Sequence, residues 1–118
     1  MVKDSEIQDL QKIISDELAI AQKSREQGNE GRARVCARRA AGWAVESIYV
    51  PDQGQSLPDA NAYRFLIWFK ECERFPQNLR EAAGRLTARV DKDFKLPFKQ
   101  DPIDDAKMIV DWIMSVEG

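Results

Sequence analysis

Between Arg32 and Val50, the residues Ala33, Ala37, Ala40, Ala44 and Ile48 recur at three- and four-residue steps, with Cys36, Trp43 and Val50 beside them. At 100° per residue these positions share one side of an α-helix. That side consists mostly of single methyl groups, so a neighbouring helix can come close enough for its ridges to pack into the grooves. Gly42, in the interior of the same segment, costs about 1 kcal/mol against alanine unless a close approach offsets it. A chain built on such a segment must surround it with further helices.

The rest of the pattern supplies them. From Lys3 to Glu26, the residues Ile7, Leu10, Ile13, Ile14, Leu18 and Ala21 keep the helical period, with acidic, basic and amide side chains between them. The stretch "GNEG", residues 28–31, ends that helix and reverses the chain: glycine accepts the left-handed conformation past a helix end, and Asn29 caps the second helix. The alanine-rich helix then runs to Val50, and Pro51 is expected to stop it.

In "PDQGQSLPD", Ser56 and Asp59 have the spacing of a capping box for a third helix over residues 60–74. That helix, "ANAYRFLIWFKECER", is broadly apolar. Leu66, Phe69 and Cys72 suit a core, and Tyr63, Ile67 and Trp68 widen the apolar face. Two explanations stand side by side: a subunit interface formed by Tyr63, Ile67 and Trp68, or a helix covered on two sides within one bundle.

Pro76 suits the first turn of a fourth helix, which is expected to reach about Asp91 with Leu79, Ala82, Ala83, Leu86 and Val90 inward. "DKDFKLPFKQ" reads as an irregular connection anchored by Phe94, Leu96 and Phe98. Asp101-Pro102 opens the last helix, Asp104 and Asp105 suit the positive end of its dipole, and Ile103, Ala106, Ile109, Val110, Ile113 and Val116 form its stripe. Five helices, short connections and no strand pattern predict an all-α, antiparallel up-and-down helical bundle, a single domain over residues 1–118. No internal period recurs.

Composition limits what such a bundle can do. Its 18 basic and 20 acidic residues leave a net charge of -2, so no global field attracts nucleic acid or an anionic membrane, and any such binding needs a local patch. The apolar runs are too short for a membrane span and "MVKDSEIQDL" lacks the core of a signal peptide, which predicts a cytoplasmic protein with no membrane partner. There is no histidine, and Cys36 and Cys72 stand in separate helices without ligand-like spacing. Both cysteines read as small buried hydrophobes, and no metal or cofactor is expected. Phosphate-cradling glycine loops are missing from the sequence, and neither cysteine has a visible activating base. Asp91, Asp93, Asp104, Asp105 and Asp111 read as caps and solvated charges, so catalysis is not expected.

The order of elements resembles the HEPN family, the higher eukaryotes and prokaryotes nucleotide-binding domain. The resemblance is carried by "AIAQKSREQGNEGRARVCARRAAGWAVE", by "FPQNLREAAGRLTARV" and by the closing "DDAKMIVDWIMSV", and covers nearly the whole chain. It implies a homodimer, a nucleotide or RNA ligand, and a nucleotidyltransferase protein as a further partner. Ribonuclease members of the family pair an arginine with a histidine about one helical turn later. Arg89 matches the arginine, but "VDKDFKLPF" comes after it and no histidine exists here, so no side chain with a near-neutral pKa is present to move the proton. The family's nuclease activity is therefore not expected.

"GRARVCARRA" sets four arginines into eight positions. On a helix Arg34 and Arg38 lie within about 40° of each other, Arg32 and Arg39 form a second row, and the rows are roughly 120° apart. Residues 32–50 carry 4 positive charges and 1 negative, whereas residues 1–31 carry 4 and 7, and residues 101–118 carry 1 and 5. One reading pairs Arg34, Arg38 and Arg39 with Asp16, Glu17 or the last helix's aspartates, and the bundle is then a protein-interaction or dimerisation module. The other makes Arg34 and Arg38, joined by Arg85 and Arg89 of the fourth helix, a phosphate site in a non-catalytic binding or adaptor module. Trp43, Trp68 or Tyr63 would stack on a base if exposed, although aromatic residues at helical spacing are core more often than base platforms.

Overall fold

The computed structural model describes residues 4–55, 57, 61–88 and 99–117, with side chains from residue 9 to residue 115. It is an all-α bundle of five helices: α1 (Asp4–Glu26), α2 (Glu30–Gln53), α3 (Ala62–Glu71), α4 (Gln77–Leu86) and α5 (Pro102–Glu117). The expected capping box at Ser56 and Asp59 and the expected anchors Phe94, Leu96 and Phe98 lie outside the described residues, as does Val90.

The alanine-rich helix is the centre of the bundle. Helix α2 packs on α1, α3 and α5, and α4 closes against α3 and α5. Ala33, Ala37, Ala40, Ala41 and Ala44 are all fully buried, so three helices reach the same backbone at short range. Between them lie the larger side chains Ile14 of α1, Phe65, Leu66 and Phe69 of α3, Leu86 of α4, and Ile103, Ile109 and Ile113 of α5. Burying a side chain of this size contributes about 1.5–3 kcal/mol.

The ends of the helices reflect local chemistry. Gly28, at φ 79°, makes the reversal between α1 and α2, and the Asn29 side chain accepts a hydrogen bond from the Arg32 amide at 3.1 Å. Helix α2 does not stop at Pro51 but continues to Gln53 and is capped by Gly54 in the left-handed conformation, whose amide donates to the Val50 carbonyl at 2.9 Å. Proline is tolerated there because it removes only one bond from a turn that is already ending.

Helix α3 starts at Ala62, capped by Asn61, and ends at Glu71, earlier than the apolar run suggests. The chain turns over Cys72–Phe75, so Phe75 folds back and stacks on Phe69 with ring centroids 4.3 Å apart. Helix α4 stops at Leu86, short of the expected Asp91, where the single hydroxyl hydrogen of Thr87 is shared between the Ala83 and Gly84 carbonyls and competes with helix continuation. Asp101 caps α5, its carboxylate accepting from the Ile103 amide at 2.9 Å. Among the described residues no helix is long and apolar enough to cross a membrane.

Candidate functional site

Most of the arginines the structure describes have a fixed partner. Arg25 of α1 donates to Glu30 at 2.8 Å and to Asp101, 76 residues away, and these bonds raise its already high pKa while holding Asp101 below the usual carboxylate range. Arg74 donates to Asp52 at 3.0 Å and lies over the rings of Trp68 and Phe75. Arg80 donates to the Lys70 carbonyl at 3.0 Å. Arg39 of α2 donates to Glu17 of α1 at 2.9 Å, and that glutamate is only 8 % exposed.

Arg85 of α4 makes two parallel bonds of 2.9 Å to Asp105 of α5, a carboxylate 3 % exposed. This is the fork-to-fork geometry that fixes a guanidinium most firmly. Its pKa is raised above the ordinary arginine value chiefly by the bond to Asp105. The sequence joined Arg85 to Arg34 and Arg38; in the structure helix α4 turns Arg85 to α5, where its guanidinium is held by Asp105. Arg89 lies outside the described residues.

Arg34 and Arg38 are in the opposite condition. Among the described residues neither forms an ion pair, and the Nε of Arg34 is buried with no hydrogen-bond partner. The Arg38 guanidinium is pushed below its ordinary pKa, first by burial and then by the positive charges of Arg34 and Arg39. The expected pairing of the α2 arginines with acidic neighbours therefore holds for Arg39 alone.

Arg38 and Arg39 face a cleft of about 570 Å³ between α2 and the start of α3. Val35 and Trp43 complete its α2 side, and Asn61, Ala62 and Tyr63 form the other. Gly42 brings the two sides together. A Cβ at this position would lie 2.5 Å from both the Cα and the Cβ of Ala62, so only glycine lets the first turn of α3 rest on α2. Asn61 then accepts from the Arg64 amide at 2.9 Å and fixes that first turn. Of the residues that the sequence singled out, Arg38, Trp43 and Tyr63 line this cleft, whereas Trp68 does not. The sequence did not bring Val35, Asn61 and Ala62 to the site, although the interior Gly42 signalled a close helix crossing.

Tyr63, Ile67 and Trp68 do not share one environment. Tyr63 is 48 % exposed, whereas Ile67 and Trp68 are half-buried. Trp68 lies edge-on to Tyr49 at 4.8 Å and to Phe75 at 5.6 Å, so it belongs to the aromatic packing between α2, α3 and the α3–α4 turn. Cys36 is buried and Cys72 half-buried, and desolvation raises both thiols, which keeps them protonated and poorly nucleophilic. No group of three or more potential metal-ligating side chains occurs among the described residues.

No family model, no curated protein and no solved structure matches the chain.

Proposed function

We propose that the bundle is a non-catalytic binding module that takes the phosphate of a nucleotide or RNA on Arg38 and Arg34 at the α2–α3 cleft. The observation that carries this reading is the contrast in charge pairing. Arg25, Arg39, Arg74 and Arg85 each hold a carboxylate, while Arg34 and Arg38 stand one turn apart without one among the described residues and, unlike the equally unpaired Arg32 and Arg64, are half-buried. Holding two like charges side by side on a half-buried helix face costs free energy, and an anion in the cleft would offset that cost. The HEPN resemblance supports the same ligand class. It extends the proposal to a cytoplasmic homodimer working beside a nucleotidyltransferase partner.

The test is affinity for a mixed set of nucleotides and short RNAs at about 50 and 200 mM salt, with the Arg34→Ala/Arg38→Ala variant alongside. Saturable binding that weakens with salt and is lost in the variant is the expected result. A folded wild-type protein that binds none of them would leave the protein-interaction bundle, and light scattering on the same samples reads the homodimer.

A further inference from the structure

The cleft limits how much anion it can neutralise. Of the two arginines that line it, Arg39 already gives its Nη1 to Glu17, so among the described residues the uncommitted charge is that of Arg38, with Arg34 outside the lining but one turn along the same face of α2. An internal RNA phosphodiester carries one negative charge, and affinity for a strand is built from a succession of such contacts. A terminal phosphomonoester carries about -1.5 to -2 on one phosphorus and offers three acceptor oxygens. Two adjoining guanidinium groups without carboxylates among the described residues match that single group better than a run of single charges.

The same cleft offers two aromatic surfaces. Trp43 enters it from α2, half-buried, and Tyr63 from the first turn of α3, about half exposed. The other tryptophans are committed elsewhere: Trp68 to Tyr49 and Phe75, and Trp112 to Phe69 and Phe75. The cleft is open to solvent, and its volume of about 570 Å³ leaves room for one small ligand. Resting on the proposed phosphate binding, we infer that the cleft takes one nucleotide bearing a terminal phosphomonoester, with its phosphate on Arg34 and Arg38 and its base against Trp43 and Tyr63, and not an internal run of RNA. A free mononucleotide and the 5′-phosphorylated end of an RNA share this chemistry.

Calorimetric titration of the full chain separates the possibilities, with ribose 5-phosphate, adenosine 5′-monophosphate, and one RNA of about twelve nucleotides carrying either a 5′-phosphate or a 5′-hydroxyl. Adenosine monophosphate should bind at least about fivefold more tightly than ribose 5-phosphate, the gain that stacking of one base supplies. Trp43→Leu and Tyr63→Ala should each reduce that gain without changing the affinity for ribose 5-phosphate, while Arg38→Ala should lose both ligands. Tyr63 is exposed enough that its variant stays folded, so it carries the test if Trp43→Leu does not fold.

Binding of the 5′-phosphorylated RNA but not of its 5′-hydroxyl form supports the inference with an RNA end as the source, and binding of the mononucleotide alone supports it with a free nucleotide. Equal affinities for ribose 5-phosphate and adenosine monophosphate would leave a phosphate site and overturn the base platform. Both RNA forms binding alike, more tightly than the mononucleotide, would overturn the single-nucleotide reading in favour of a strand. If none of the four probes binds, this inference and the phosphate reading fall together.

Discussion

Arg85 and Arg38 carry the same guanidinium on neighbouring parts of one bundle, yet the two regions treat it in opposite ways. At the α4–α5 contact, a buried carboxylate meets Arg85 with two bonds of 2.9 Å, and the pair is satisfied from within. At the α2–α3 cleft, Arg38 has burial and two like charges for company and no acid among the described residues, which lowers its affinity for its proton. The first arrangement joins two helices. The second leaves charge beside an open cavity, a condition that serves packing poorly and ligand binding well.

The widest separation between the two regions should come from removing Asp105. In Asp105→Ala the Arg85 side chain, 20 % exposed, keeps its charge without its counter-ion, and unfolding by urea should report a loss of about 3 kcal/mol or more. A loss below about 1 kcal/mol would mean that the pair is no more than a surface contact. Gly42→Ala comes next and bears on the cleft itself. Alanine gains about 1 kcal/mol of helix propensity, but its methyl group would sit 2.5 Å from the Ala62 backbone. Overpacking of this kind costs typically about 1–3 kcal/mol, so the midpoint of thermal unfolding should fall, with cleft binding weakened as α3 moves away. A rise in the midpoint would show that α3 is free to shift.

The smallest effect should be that of Arg38→Ala, because the residue it removes makes no ion pair among the described residues and is repelled by Arg34 and Arg39. Its stability should lie within about 0.5 kcal/mol of the wild type, tilted towards a gain at low salt, while phosphate binding disappears. A loss as large as that of Asp105→Ala would erase the distinction between the two regions.

Much of the bundle was legible in the residues. The apolar periods of α1, α2 and α5 place all three helices, because each period reports one mainly buried face, although Ile13 of α1 and Val50 of α2, read as part of those faces, are exposed. Asn29 and Asp101 act as local caps, since capping depends on side chains within three residues of the amides they serve. The errors lie at helix ends, where a cap or a ring contact a few residues away overrules intrinsic preference. Pro51 falls in the last turn of α2, where Gly54 supplies the cap. Helix α3 is cut short because Phe75 gains a stacked ring on Phe69 by turning back.

The candidate site divides along the same line. Arg34, Arg38, Trp43 and Tyr63 were visible as residue types at helical spacings. Their environments were not. By itself the sequence determined five helices, an alanine-lined centre and an excess of positive charge on α2, since these depend on periodicity and composition within short windows. Only the tertiary structure decided which arginines are neutralised: Glu17, Asp101 and Asp105 lie 22, 76 and 20 residues from Arg39, Arg25 and Arg85, and a Coulomb interaction depends on distance in space, not along the chain. It also decided that Gly42 brings Ala62 and Tyr63 onto α2 beside Arg38, because the missing Cβ at one helix crossing sets how closely two backbones pack.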